Sequence, residues 1–129
     1  MGLAYEANMT RIGTLVAGED MTDHQYKAVA LSTTADDTAV KPSGQGVRCI
    51  GILQNAPKAG QQCDICIAGI SPVIGGGAVT RGNPVTVNAA DGEVGAASSG
   101  DYVLGILTQS VTDGAKQSMI VLPHLVPLA

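Results

Sequence analysis

The chain has 129 residues, a formal net charge of −4 and 14% charged residues, with no Trp, no Phe and three Tyr. That length suits one domain, and its core must be built from Val, Ile, Leu, Ala and Met. The sequence holds no basic cluster, which excludes the electrostatic footprint of a nucleic-acid-binding protein. It also holds no apolar run near the ~20 residues of a membrane span, and its N-terminus lacks the basic start and apolar centre of a signal peptide.

Short runs of Val, Ile, Thr and Ala, separated by Gly, Pro, Asn and Asp, dominate the chain, and long helical periodicity is missing. This pattern predicts a mainly β fold, a compact β-sandwich or small β-barrel with short or no helices and an extended N-terminal arm. We expect an arm at 1–12, a β-rich domain at 13–123 and a C-terminal tail at 124–129. The predicted strands are 11–17, 25–32, 47–54, 63–70, 83–88, 93–97, 102–109 and 117–123.

The connections carry recognisable turn signals. A short helical turn is an option near Gly18–Gln25, where Met21-Thr22-Asp23 offers capping residues. Ser43–Gly46 and Ser98–Asp101 have the composition of loops. Asp91-Gly92 lies between two predicted strands and is typical of a hairpin turn.

Two segments of the sequence are similar to each other. "IGILQNAPKAGQQCDICIA" at 50–68 aligns without gaps on "LGILTQSVTDGAKQSMIVL" at 104–122. Each copy predicts a strand, a Gly-containing loop and a second strand, with Gly60 aligned on Gly114, where a turn favours positive φ. The two segments are either related hairpins of one sheet or unrelated hairpins that are alike by chance.

The first copy contains a Cys-x-x-Cys pair, Cys63 and Cys66. On a strand, side chains three apart point to opposite faces, so the two sulfurs could not share a zinc ion or close a disulfide. A redox pair would lie at a helix N-terminus, and a zinc ribbon would need a second pair. We therefore interpret both cysteines as small strand residues. Three Cys, an odd number, also argue against a disulfide framework and favour synthesis in a reducing compartment.

Other motifs that could carry chemistry are incomplete. The Gly75–Gly82 stretch lacks the Lys-Ser/Thr of a phosphate loop, and Ser71 lacks the second Gly of a nucleophile elbow. A Cys49–His124 pair would suggest a small hydrolase, but no local pattern supports it. The short acidic pairs lack calcium-loop spacing. We predict no catalytic residue, no cofactor and no metal ligand.

Both ends of the chain carry apolar side chains, whereas termini are usually polar and frayed. Such ends dock either on the chain's own body or on a neighbour. We expect a capsid or subunit interface at Leu3, Tyr5, Met9, Leu125, Val126 and Leu128. Deleting either end should then lower the occupancy of the protein on its partner.

Several motifs in this order resemble the capsid cement, or decoration, proteins of tailed phages. "GILQNAPKAG" at 51–60, the stretch from Asp64 to Val94 with "GGGAVTRGNPVTVNAADGEV", and "GILTQSVTDGAKQSMIVL" at 105–122 carry the resemblance. It covers about residues 18–123. The three cysteines are a departure from what a cement role needs.

The resemblance implies a β-rich, often trimeric virion protein without an active site. Its partner would be the major capsid protein, whose neighbouring copies it would clamp from the outer capsid surface after synthesis in the bacterial cytoplasm. Three alternatives stay open. One is another virion β-module, such as a head-completion, tail or fibre accessory protein, and another is a small Cys hydrolase. The third is a cellular oligomeric β-domain unrelated to phages, for which the sequence shows no specific feature.

Overall fold

The fold of the computed structural model, which describes residues 9–110 and 114–129, is all β. The mainly β prediction is therefore confirmed. None of the elements in the described ranges is a helix of the length and apolarity that a membrane crossing needs. The strands are β1 (Met9–Ile12), β2 (Val16–Ala17), β3 (Ala28–Leu31), β4 (Thr38–Val40), β5 (Gly51–Leu53), β6 (Ile65–Ile74), β7 (Pro84–Val87), β8 (Val94–Ala96), β9 (Gly105–Leu107) and β10 (Lys116–Val121).

All ten strands belong to one hydrogen-bonded sheet in the order β2-β4-β3-β5-β6-β10-β9-β7-β8, with β1 paired to β6 outside this path. Both ends of the sheet curl back toward β6. At one end, Ala17 N–H donates to the Gln61 carbonyl at 2.8 Å, just before β6. At the other, Gly76 N–H donates to the Val94 carbonyl at 2.7 Å, just after β6. The long central strand β6 is thus shared by two curled halves of one sheet.

The two halves follow the same plan. In the first, β4 pairs with β3, β3 with β5, and β5 with β6. In the second, β8 pairs with β7, β7 with β9, and β9 with β10. The repeated hairpin seen in the sequence is therefore the last part of a repeated four-strand arrangement.

The registers of the two hairpins agree residue by residue. Ile52 pairs with Cys66 in the first hairpin, and the aligned Ile106 pairs with Ile120 in the second. The loop glycines agree as well, because Gly60 and Gly114 both have positive φ, at 83° and 76°. The alignment of the two segments thus describes two structurally equivalent hairpins.

A glycine at the start of each hairpin lets two backbones approach closely. A Cβ at Gly51 would collide with the Cys66 carbonyl oxygen, and a Cβ at Gly105 would collide with the Ile120 carbonyl oxygen. Both obstacles are backbone atoms, which cannot move aside as a flexible side chain can. The shared Gly-Ile-Leu motif is therefore a packing requirement of the strand pair.

Along the long strand β6, the side-chain positions that face the core change halfway. Thr10 and Arg11 of β1 pair with Ala68 and Cys66, which leaves Ile67 as an extra residue. Such a bulge shifts the alternation of side chains by one. Consistent with that shift, Cys66 and Val73, an odd number of residues apart, lie in the same buried cluster.

Among the described residues, the core consists of two apolar clusters that contain no aromatic side chain. The larger one draws members from both halves, with Val85, Leu107 and Met119 of the second half and Ile52 and Cys66 of the first. The smaller one fills the first half and includes the equivalent Val29, Leu53 and Ile65. Because Cys63 lies in the smaller cluster and Cys66 in the larger, the predicted separation of the two thiols is confirmed, and all three cysteines are free and buried.

The structure corrects the predicted elements in a few places. Every predicted strand overlaps an observed one, but 11–17 divides between two strands, β6 runs past the predicted 63–70 to Ile74, and β4 was not predicted. The helical turn near Gly18–Gln25 is wrong. Separate turns form there instead, which bury Met21 in the smaller core cluster and His24 against Gly92. Part of the predicted arm, residues 9–12, forms β1.

The Asp91-Gly92 hairpin is confirmed, and its turn joins the two halves of the fold. Gly92 has φ of 81°, and its carbonyl accepts a hydrogen bond of 2.8 Å from Ala28 N–H of β3. A Cβ at Gly92 would collide with the His24 ring. The turn of the second half therefore packs directly on the first half.

Candidate binding surface

A row of apolar side chains crosses four neighbouring strands on one open face of the sheet. Pro84 of β7 pairs with Ile106 of β9, Ile106 with Ile120 of β10, and Ile120 with Ile70 of β6. Residues that pair directly point to the same face of a sheet, with Cβ atoms about 4.5–5.5 Å apart. We call these four residues the isoleucine row.

The isoleucine row is open to solvent. Ile106 is 40% exposed and Ile120 43% exposed, and Ile70 and Pro84 are half-buried. Leu122, which follows Ile120 by two positions, is 56% exposed and extends the apolar surface beyond the end of β10. No member of the row is ionisable, so the row can contribute binding only through apolar contact.

Polar groups border the row on one side. The hydroxyls of Thr108 and Ser118 form a short hydrogen bond with each other across β9 and β10. Beyond them, the Lys116 ammonium lies 5.2 Å from the centroid of the Tyr26 ring, a cation–π arrangement. The apolar row is thus bordered by polar groups on this side, as the apolar centre of a protein–protein interface is by its rim.

A second surface is formed where the C-terminal tail meets the first half. An open groove of about 900 Å³ lies between the β3–β4 hairpin, the segment before β5, and the tail. Its apolar lining includes Leu31, Ile50, Ile67, Pro123 and Leu125. We call it the tail groove.

The tail groove is chemically mixed, unlike the isoleucine row. Lys41 and Arg48 contribute cationic groups to its lining, and Ser and Thr side chains contribute hydroxyls. Lys41 already forms an ion pair of 3.3 Å with Asp23, and the Arg48 guanidinium lies 5.7 Å from the Tyr102 ring centroid. Among the described residues that line it, none is acidic, so the groove suits a partner segment that carries carboxylates.

The predicted tail residues lie in a segment that is held by its backbone. Leu128 N–H donates to the Asp101 carbonyl at 2.7 Å, and the tail pairs with residues 100–104 through an isolated antiparallel bridge between Tyr102 and Pro127. The side chains nevertheless point outward, because Leu125 is 78% and Val126 68% exposed, and Leu128 is half-buried. Leu125 reaches the tail groove; neither Val126 nor Leu128 lines it.

The predicted N-terminal residues divide between the described and undescribed parts of the chain. Leu3 and Tyr5 lie outside the described residues. Met9 opens β1, pairs with Gly69 and packs against the larger core cluster, so it contributes at least partly to the fold itself. Sequence reasoning missed the isoleucine row, since the continuous apolar run of residues 119–122 also fits a strand that is buried on both faces.

The thiols are poorly suited to chemistry. Burial raises the pKa of Cys49 to about 12 and also raises the pKa of Cys63 and of Cys66. The thiolate is the reactive form of cysteine, so these thiols are weak nucleophiles at neutral pH. Pro123 and Leu125, which flank His124, line the same groove as Cys49, but the His124 side chain is exposed to solvent.

Within the described ranges, no cluster of His, Cys, Asp and Glu could hold a metal ion.

One histidine is buried and structural. His24 is 1% exposed, and its Nε2 lies 2.6 Å from the Ala28 carbonyl oxygen, to which the neutral ring donates. Burial lowers the pKa of His24, and the nearby ammonium groups of Lys41 and Lys27 lower it further. The hydrogen bond to Ala28 and the Asp23 carboxylate act in the opposite direction.

Comparison with known proteins identifies the fold. No protein-family profile and no curated protein matches the chain. Among solved structures, the chain is similar to the N base of the head fiber gp8.5 of bacteriophage phi29, with a TM-score of 0.67 and 15% sequence identity. The match covers 94% of this chain and 98% of that one. This chain and the phi29 N base therefore share a fold along nearly their whole length.

Proposed function

We propose that the protein is a structural component of a phage virion that binds the outer surface of the assembled capsid as a homotrimer and clamps neighbouring major capsid proteins. The single observation that carries the proposal is the fold likeness to a phage head fiber base over almost the whole of both chains. The resemblance of the 51–122 segment to capsid cement proteins points in the same direction.

The proposed mechanism is adhesion without catalysis. A protein that binds the assembled lattice but not its dissociated subunits stabilises the lattice by mass action. A specific contact of this kind buries about 800 Å² on each partner, and a trimer gains avidity by engaging identical sites together. We assign the capsid contact to the tail groove, whose Lys41 and Arg48 would meet carboxylates of the capsid protein.

A second candidate function is the base of a head fiber, which the name of the phi29 structure favours. In that case the protein would also attach to the head, but it would carry a projecting fibre. Copy number and shape distinguish the two roles. A cement protein is present in many copies at equivalent positions across the shell, and a fibre base has additional density that projects from it.

The test uses heads from a phage that lacks the gene for this protein. Purified protein is added back, and its position and occupancy are measured by cryo-electron microscopy together with the temperature at which heads release DNA. We expect density at symmetric positions on the outer surface and a higher release temperature. Removing residues 1–8, which leaves β1 intact, or residues 123–129 should lower occupancy. Intact heads that bind no protein would refute the proposal.

A further inference from the structure

Within residues 9–110 and 114–129, the isoleucine row lacks a cover that its counterpart in the other half possesses. The positions equivalent to Ile106 and Ile120 are Ile52 and Cys66, and both are fully buried. With Ala28 of the adjacent strand they pack into the larger core cluster. The same strand arrangement is therefore shielded from water in one half of the molecule and open in the other.

Contiguous apolar surface of this kind generally marks an interaction site. The row spans four strands in direct register, so its side chains form one continuous strip rather than scattered exposed residues. It differs from the tail groove, in which cations and hydroxyls accompany the apolar lining. Permanent interfaces are more apolar than those that form and separate, whose composition resembles the rest of the surface.

We propose that the isoleucine row packs against the isoleucine row of further copies of this chain and forms the contact between subunits. The number of copies, three, rests on the proposed function. Residues beside a rotation axis meet their own symmetry copies, so a single row can serve every subunit of a closed ring. The absence of ionisable groups from the row allows chains that each carry a net charge of −4 to meet there without direct repulsion.

A second copy of this chain is a better partner for the isoleucine row than the capsid protein, because copies of the chain are available before a head has assembled. A surface reserved for the capsid must stay in water until a head has assembled. The tail groove includes charged and hydroxyl-bearing side chains that water solvates, whereas the row offers water only apolar area. The row is therefore the subunit contact, and the tail groove remains free for the capsid.

The first experiment measures the mass of the intact protein by light scattering over a range of concentrations. We expect the wild type to have three times the chain mass and the double variant I106D/I120D to have the mass of one chain, with an unchanged far-UV circular dichroism spectrum. The matched control is Leu31→Asp, which places the same charge on a side chain that is 52% exposed but lines the tail groove. It should remain trimeric and bind heads less well.

The second experiment tests the contact without adding charge. Ile120→Cys provides an accessible thiol in a chain whose native thiols are buried. Mild oxidation should convert most of the Ile120→Cys protein to a disulfide-linked dimer, which is detected on a non-reducing gel. Leu125→Cys, at a position that is 78% exposed outside the row, should cross-link much less.

The outcomes separate this inference from the proposed function. A wild type that stays monomeric at all concentrations, or a double variant that stays trimeric, overturns the inference. Cross-linking of the Leu125→Cys control to the same extent also overturns it. A monomeric wild type that binds heads through the row, and loses binding in I106D/I120D, overturns the inference and the homotrimer, while leaving the role as a capsid-binding virion protein standing. A trimer that depends on the row but never binds heads overturns only the proposed function.

Discussion

Two buried threonines should respond in opposite ways to the same substitution. Thr86 is fully buried, and its hydroxyl has no hydrogen-bond partner among the described residues. Thr38 is 7% exposed, and its hydroxyl donates to the Asp36 carbonyl at 2.8 Å. An unsatisfied buried polar group costs about 1–3 kcal/mol, whereas a satisfied one contributes about 1 kcal/mol. The sign of the effect of Thr→Val therefore depends on the partner of the hydroxyl.

We expect Thr86→Val to raise the free energy of unfolding by about 1 kcal/mol, since a methyl group replaces a hydroxyl that is buried without a partner. For a chain of this size that gain corresponds to a rise in Tm of about 3–5 °C. Thr38→Val should lower the free energy of unfolding by about 1 kcal/mol, because it removes a hydrogen bond and leaves the Asp36 carbonyl with one partner fewer.

The measurement is guanidinium unfolding followed by circular dichroism, with wild type and both variants at one protein concentration so that any association affects all three equally. Equal m-values would show that the comparison reports stability alone. A shift of the same sign in both variants would refute the reasoning, because it would mean that the loss of the hydroxyl is not what decides the outcome.

Three further predictions concern other buried groups. Because burial lowers the pKa of His24, the unfolded chain binds more protons, so stability should fall as pH drops below about 6.5, by at most about 1.4 kcal/mol per pH unit. His24→Gln should flatten that fall and His124→Gln should not; equal slopes in all three proteins would contradict the assignment. Gly105→Ala should lower the free energy of unfolding by about 3 kcal/mol through its clash with backbone, whereas Gly77→Ala, which faces open space, should change it by less than about 1 kcal/mol. Cys49 should react with a disulfide reagent only slowly until denaturant is added, and rapid reaction at neutral pH would revive the hydrolase alternative.

The sequence predicted most of the sheet because its strands carry local signals. The Asp91-Gly92 turn and the aligned glycines Gly60 and Gly114 identify hairpins without reference to the rest of the fold. Strand β4 was missed because it follows the acidic pair Asp36-Asp37, which is typical of a loop. It lies between its hairpin partner β3 and the earlier strand β2, and the pairing with β2 is a contact that a local pattern does not contain.

The binding surface was less predictable than the fold. The tail was identified from its composition, but its backbone pairing with residues 100–104 depends on where the sheet ends. The isoleucine row was not identified, because the end of β10 lies in a continuous apolar run, residues 119–122, which does not show whether its outer face is covered or open. Which face is covered is decided by how the two halves curl, and the bulge at Ile67 contributes to that by reversing the facing of β6.

The two hairpins also show which positions a repeat preserves and which it changes. Gly51 and Gly105 are the same because both must admit a carbonyl oxygen. Cys66 and Ile120 differ, and the smaller side chain is the buried one. A close-packed core limits the volume of a side chain, since a larger one must displace its neighbours, whereas solvent sets no such limit. Solvent does not favour isoleucine either, because exposed apolar area gives up the free energy that burial provides. The large apolar side chain at the open position is explained if another surface covers it, and this argument favours the isoleucine row over the solvated tail as the contact between subunits.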